Sequence, residues 1–528
     1  MTVIDGVLAV RSKLRTGRPA GRHRLLVRRT GWVAVLLGLL ALEFRVSDVQ
    51  QANDVFIDEV TYADLARQMA EGHLPSILGS PFFLHPPGTY ALNGLVIRIF
   101  GLQGNSMDLA LQLRWVNSVL GVFTVVVCFL LVRRLAGVGP AAVAGVVLAS
   151  DPFVLRMDGR LMMETPAGLA VLTGWLVMLM VLDRERSRKR WWLEAGAGLL
   201  FGLAIVMKDM TAVFTVVPLA ASVAWRRTVP LGTACRVVLC AVVPYAMYLG
   251  LIAAHGLFPQ FVEQKSVGVL RMVGAVQMTG FNSVTEVSLT DRLVDLMGRF
   301  ATSYLLLGLS ILAGVVVAAA SGTAQRRAIG LFSIFTGVVG VYSVFFGAAE
   351  EQFGYCVVLA GLVSTPIAAV MLAEWLPRLR TLVLVGSALM TLGSLFLGIQ
   401  ARTVVDDGLV RARDWMTSSL PAGSKVGLTS VTGEYALLPH GNWDVLPSLQ
   451  SLDAEGADYV LTQGRQLSEG YGFAAPELLD WLQKNAQPVF TFVGPTSGDT
   501  VVWHLDRTKL DQAVAGGLTI PPVSGGYR

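Results

Sequence analysis

Asp58-Glu59 opens a polar segment that follows the first hydrophobic stretch, and the segment runs through Gly72 to His85-Pro86-Pro87-Gly88-Thr89-Tyr90. A carboxylate at the edge of an apolar region can take a proton from a hydroxyl, typically worth ~10²–10⁴-fold in rate. Cations beside it can hold an anionic group and stabilise charge developing on a leaving phosphate. The chain places both kinds of group at the ends of its hydrophobic runs: Asp58, Glu59, His85, Arg114, Asp158, Arg160, Glu164, Lys208, Asp209, Lys265, Arg271, Glu350 and Glu351. Ionisable groups at such depth are costly and therefore informative.

Each has a plainer reading. Asp58 serves equally as the cap of the helix that follows it, a role compatible with catalysis. The prolines alone make His85-Pro86-Pro87 a rigid turn. Arg114 and Glu350-Glu351 suit interfacial anchors, and Lys208-Asp209 an ion pair at a hairpin tip. Arg160 and Glu164 lie one helical turn apart and can pair with each other.

The elements that must position these groups are membrane spans. Of 528 residues, 53% are hydrophobic and 15% charged, unlike an ordinary soluble protein. Uncharged runs near bilayer length recur between Thr30 and Ala401, the clearest being Trp115–Val132, Thr165–Leu182, Val237–Ala254, Tyr304–Gln325, Ala328–Ala349, Tyr355–Ala373 and Thr381–Ala401. Leu135–Ser150 is a shorter one. Cys128, Cys235, Cys240 and Cys356 all lie in or beside such runs, which excludes a disulfide framework and a CxxC metal site. The basic stretch from Arg11 to Arg29, followed by apolar residues 31–42 without a small-x-small cleavage site, reads as a retained signal-anchor. The net charge of +5 is mostly this tail and suits anionic headgroups rather than nucleic acid.

Basic clusters at residues 11–29, 133–134, 184–190, 226–227, 326–327 and 378/380 alternate with the spans if eleven helices cross, with the N-terminus cytoplasmic and the C-terminal segment outside. Residues 191–225 must then cross twice, as a hairpin with Lys208-Asp209 at its outer tip. The chain divides into a basic tail (1–29), a membrane region (30–401) with an external loop at 45–114, an external α/β domain (402–510) and a loose end (511–528). Helical spacing of Tyr62, Leu65, Ala66 and Met69 ahead of Gly72 predicts an amphipathic helix on the membrane with Asp58 near its start. A second is expected over Thr89–Phe100. The tail shows strand-like runs at Lys425–Val431, Asp458–Thr462, Val489–Val493 and Thr500–His504, with helical patterns at Asp407–Thr417 and Pro476–Asn485. No phosphate loop or nucleophile elbow is present, and no His, Cys and carboxylate cluster has metal-ligand spacing. No cofactor is expected, and a divalent metal requirement is left open.

In order along the chain, Asp58-Glu59-Val60-Thr61-Tyr62, Gly72, Pro81 and His85-Pro86-Pro87-Gly88-Thr89-Tyr90 resemble the first external loop of the GT-C glycosyltransferases. The likeness is to the polyprenyl-phosphate-sugar-dependent members: RgtA/B/C/D-like sugar transferases, lipid-A aminoarabinose transferases and protein O-mannosyltransferases. It continues in Arg114-Trp115-Val116-Asn117, Asp151-Pro152 to Arg160 and Glu164, Gly202–Lys208, and Tyr355 after Glu350-Glu351-Gln352. Asp209 departs from the pattern where many relatives have Gly. The resemblance implies a mainly α polytopic fold and sugar transfer from a lipid phosphate to an acceptor hydroxyl of a glycan, lipid or protein, outside the cytoplasmic membrane. It implies Asp58 as the base of an inverting displacement and Lys208, Arg160 and Arg114 as phosphate contacts. Glu164 and His85 would orient sugar hydroxyls or the base, and Glu59 and Tyr355 would bind the substrate. A flippase of lipid-linked sugars and a non-catalytic envelope-assembly protein are the alternatives. No internal repeat supports the first.

Overall fold

A computed structural model describes residues 20–77, 79–185, 187–276, 288–346, 351–438, 442–468, 472–495 and 497–523, with residues 20–29 as backbone only. The side chains of the basic tail, Glu350 and residues 524–528 therefore lie outside the described residues; the stretch from 511 expected to be a loose end is instead helical to Ala515, with Ile520 buried in the core of the C-terminal region. Helices stand at all eleven places where hydropathy predicts a span. They are α1 (Ala20–Val46), α4 (Ser106–Ala136), the pair α5 (Val138–Ser150) and α6 (Pro152–Asp158), α7 (Glu164–Leu182), α8 (Arg188–Met207), α9 (Thr211–Ala224), α10 (Leu231–Ala254), α12 (Leu289–Ala320), α13 (Ala324–Phe345), α14 (Gly354–Trp375) and α15 (Arg380–Thr403). Among the described residues eight are long and apolar enough to cross a membrane, or nine if α5 and α6, bent by 59°, form one span.

The bundle packs around Trp175 of α7, fully buried between the rings of Phe201 and Phe332 at 5.4 and 5.5 Å. Its indole N–H donates to the Phe214 carbonyl at 3.2 Å, which satisfies the one polar group of that side chain. Gly198 and Gly202, one helical turn apart on α8, let α10 approach closely. A Cβ on Gly202 would meet the Ala241 carbonyl and lie 2.8 Å from Pro244.

Charge sorts to two ends. Arg134 and Gln325 both reach Asp183, Arg326 donates to the Leu135 carbonyl at 2.7 Å, and Glu194 binds Arg190 and Arg236. The basic clusters thus gather at one end. At the other end lie α2 (Ile57–Ala70), the strands β1 (Ser76–Ile77) and β2 (Ser80–Pro81), α3 (Gly88–Phe100) and α11 (Phe258–Met272). Helices α2 and α3 match the two amphipathic helices expected. Helix α11, with Phe258, Val262, Val269 and Leu270 exposed, lies where only a loop was expected.

The C-terminal region folds on the α2 end as α16 (Gly408–Ser419), β3 (Val426–Leu428), α17 (Val431–Leu437), β4 (Trp443–Val445), α18 (Leu449–Ala454), β5 (Tyr459–Gln463), α19 (Gly464–Ser468), α20 (Pro476–Asn485), β6 (Gln487–Gly494), β7 (Gly498–His504) and α21 (Arg507–Ala515). The sheet order is β4-β3-β5-β7-β6, parallel from β4 to β5 and antiparallel beyond. Strand β4 is a short edge that alternation did not reveal, and Val431, expected in a strand, begins α17. Val55, Val60 and Met107 pack into the same core as Leu409, Val426 and Leu428. The Asp406 N–H donates to the Gln51 carbonyl at 2.7 Å, and Arg413 pairs with Asp108 at 2.9 Å.

The α8–α10 contact yields a test. Gly202→Leu should cost about 1–3 kcal/mol by overpacking, whereas Gly196→Leu, where a Cβ meets nothing within 4 Å, should be neutral. Thermal unfolding of the purified variants in detergent measures both.

Candidate active site

Helix α2 begins at Ile57, with Asp58 and Glu59 in its first turn, where the positive end of the helix favours carboxylates. The two carboxylates part company at once. Glu59 turns back, accepts the Phe56 N–H at 3.2 Å and so caps the helix itself. It also accepts the Leu161 N–H at 3.2 Å and forms a two-point ion pair with Arg114, at 2.6 and 3.0 Å. Both side chains are wholly buried. Arg114 spends its remaining donors on the carbonyls of Val49, Gln50, Asn53 and Asp54. Glu59 and Arg114 therefore leave the set of substrate contacts: their groups are used up on each other and on the backbone.

Asp58 is half-buried, with Gln352 donating to its carboxylate at 3.3 Å. Gln352 in turn lines a small pocket with Glu164, Lys208, Thr211, Phe353 and Cys356. Lys208 sits in extended backbone where α8 stops, pairs with Glu164 and lies 4.7 Å from the centre of the Phe353 ring. Asp209 pairs not with its neighbour but with Lys265 of α11. The helix break expected from sequence falls at Lys208-Asp209, between α8 and α9, and its two charges are engaged by different elements.

Gly88 makes the approach between α3 and the hairpin possible: a Cβ there would lie 2.6 Å from the Val206 carbonyl oxygen. Helix α11 clamps the His85 loop. Gln264 accepts the Phe83 N–H and donates to the Pro81 carbonyl, both at 2.7 Å, and Lys265 donates to the Leu84 carbonyl at 2.9 Å. His85 packs edge-on against Tyr62 and Phe82, at 6.2 and 6.0 Å. Burial, then the charges of Lys208, Lys265 and Arg271, hold its imidazole well below the ordinary histidine range. It is thus a neutral group beside three cations. Lys265, which the sequence offered only as an ionisable group, joins Lys208 here because α11 folds over the loop, and Arg271 follows it in the last turn of the same helix.

Two further residues move out of the site. Arg160 is buried against Asp54, with its guanidinium 5.5 Å from the Phe56 ring centre, and does not pair with Glu164 as its spacing allowed. Tyr355 is fully buried and donates to Asp158 at 2.8 Å; Asp158 also takes Thr165 and an ion pair from Arg45 at 2.8 Å. That network ties α1, α6, α7 and α14 together inside the bundle. Among the described residues no group of three or more His, Cys, Asp or Glu side chains could hold a metal ion.

The architecture is shared with known proteins. Residues 84–250 match the family model of dolichyl-phosphate-mannose-protein mannosyltransferase. The structure resembles ArnT from Cupriavidus metallidurans in the apo state, with a TM-score of 0.55 and 15% identity over 91% of this chain and 99% of that one. The same protein bound to undecaprenyl phosphate matches with a TM-score of 0.53 and 15% identity, over 90% of this chain and 97% of that one. The archaeal oligosaccharyltransferase AglB from Archaeoglobus fulgidus matches with a TM-score of 0.55 and 12% identity, over 89% of this chain and 74% of that one. No curated protein matches the chain by sequence. The chain has the fold of the GT-C glycosyltransferases.

The buried pair predicts a large stability effect. Glu59→Ala should destabilise by about 3–5 kcal/mol, since it strands the Arg114 charge without water. Replacing both partners by apolar residues should recover much of the loss. Thermal unfolding of single and double variants checks this, and additive losses would disprove the coupling.

Proposed function

We propose that the protein is a membrane glycosyltransferase that moves a sugar from a polyprenyl-phosphate carrier to an acceptor hydroxyl. The observation that carries this reading is the link from Asp58 through Gln352 to the pocket holding Lys208 and Glu164. A carboxylate and a set of cations stand a few side chains apart at one end of a membrane bundle. The fold, the mannosyltransferase-like segment and the undecaprenyl phosphate carried by ArnT support a lipid-phosphate donor.

In this mechanism Asp58 accepts the proton of the acceptor hydroxyl as its oxygen attacks the anomeric carbon. The bond from that carbon to the phosphate oxygen breaks on the opposite face, with inversion. The leaving phosphate draws on Lys208, Lys265 and Arg271, which take the place of a general acid. Neutral His85 adds a ring beside those cations without adding a fourth charge. Glu59 and Arg114 act at one remove, fixing where α2 starts and hence where Asp58 points.

The basic end of the bundle faces the cytoplasm on the charge rule, which sets the Asp58 end and the C-terminal sheet outside. Activity reporters fused after residues 187 and 420 should then report opposite sides. The same side for both would overturn the orientation.

Asp58→Asn keeps the shape of the side chain and removes its basicity. It should yield a folded protein that binds the lipid donor and transfers sugar about 10²–10⁴-fold more slowly, measured as label passing from lipid phosphate to acceptor. Near-normal turnover would exclude Asp58 as the base.

A further inference from the structure

Tyr90 lies in the first turn of α3, directly after Gly88 and Thr89, which pack on the residues preceding Lys208. Its ring is 1% exposed, held by Tyr62 at 5.5 Å and Phe82 at 6.4 Å. Its hydroxyl, by contrast, is buried and has no hydrogen-bond partner in the protein. A buried phenol normally finds a partner, and leaving one without is costly. A second orphan belongs to the residue after Met163, which packs in the same core cluster as Tyr90. Glu164, 3% exposed, gives one carboxylate oxygen to Lys208, while the other, equally buried, has no partner.

We propose that the Tyr90 hydroxyl and the unpaired Glu164 oxygen form the subsite for the hydroxyls of the transferred sugar. This assignment rests on the donor reading above and names the part of the donor that this corner recognises. One orphan is a donor and the other an acceptor. The hydroxyls of a sugar can satisfy both, because such a group accepts from a phenol and donates to a carboxylate. A phosphate only accepts: it would leave Glu164 unsatisfied and bring two negative groups together. The phosphate therefore belongs with Lys208, Lys265 and Arg271, and the sugar with Tyr90 and Glu164. Burial, and then the charges of Asp58, Asp209 and Glu164, hold the Tyr90 phenol well above its ordinary range, so it stays protonated and able to donate. Tyr62, whose ring packs on Tyr90 at 5.5 Å, stands one helical turn after Asp58 on α2, so the subsite lies against the helix that carries the proposed base.

Tyr90→Phe removes only the hydroxyl and keeps the ring that packs on Tyr62 and Phe82. The test compares purified wild type and Tyr90→Phe by thermal unfolding and by affinity for two ligands: undecaprenyl phosphate, and undecaprenyl phosphate bearing a pentose or a hexose. Without ligand, the variant should unfold at the same or a higher temperature, because no bond within the protein is lost. Undecaprenyl phosphate alone should bind both forms equally. The sugar-bearing lipid should bind the variant about tenfold more weakly, the loss of about one hydrogen bond. A ligand-free variant that unfolds earlier would overturn the proposal by showing a structural role. So would equal affinity for the sugar-bearing lipid, or an equal loss for both ligands, which would move the hydroxyl to the phosphate. If the wild type binds neither lipid, the donor reading itself fails, a result distinct from the other three because it appears before any substitution.

Discussion

The ion pair between Glu59 and Arg114 is the constraint on which the Asp58 end of this protein depends. Both groups are removed from water, a state tolerable only if every donor and acceptor is matched. The match is supplied by the start of α2, the 49–54 segment, α4 and the Leu161 backbone. None of these can shift without exposing an unpaired charge to apolar surroundings. Asp58, one residue from Glu59, inherits that rigidity at no cost to its own carboxylate. The base proposed at Asp58 gains from such positioning, since misplacing a reacting group by about 1 Å can cost on the order of 10²-fold.

A second buried network, Arg45 with Asp158, Thr165 and Tyr355, does for the membrane helices what the first does for the loop. It joins helices far apart in sequence at one point, and Gly121 and Gly168 lie against it where a side chain would collide with Asp158 and Arg45 or with the Tyr355 ring. The two networks flank the α6 segment and the residues that follow it. Near the pocket the charges are paired as well, Lys208 with Glu164 and Lys265 with Asp209, but these pairs are less deeply buried than the two networks.

Much of the fold was legible because hydropathy is a local sum. The places of the spans, the break at Lys208-Asp209 and the helices over 57–70 and 88–100 follow from runs and spacings within a few residues. Elements whose signal is weak or shared were harder. Strand β4 spans only Trp443–Val445 and takes its pairing from β3. Helix α11 carries its apolar residues on an exposed face that packing inside the protein does not complete, and its charged residues made it read as a loop.

The sequence by itself determined that this is a many-helix membrane protein with carboxylates and cations gathered at one end of its spans, and it singled out Asp58 and Lys208. Only the tertiary structure decided which charges meet. Glu59 chose Arg114, Glu164 chose Lys208, Asp209 chose Lys265, and Tyr355 chose Asp158. Such choices join positions tens to hundreds of residues apart, so no local pattern encodes them. The energy of a buried charge depends on what lies within a few ångströms in space, and that is settled only when the helices pack.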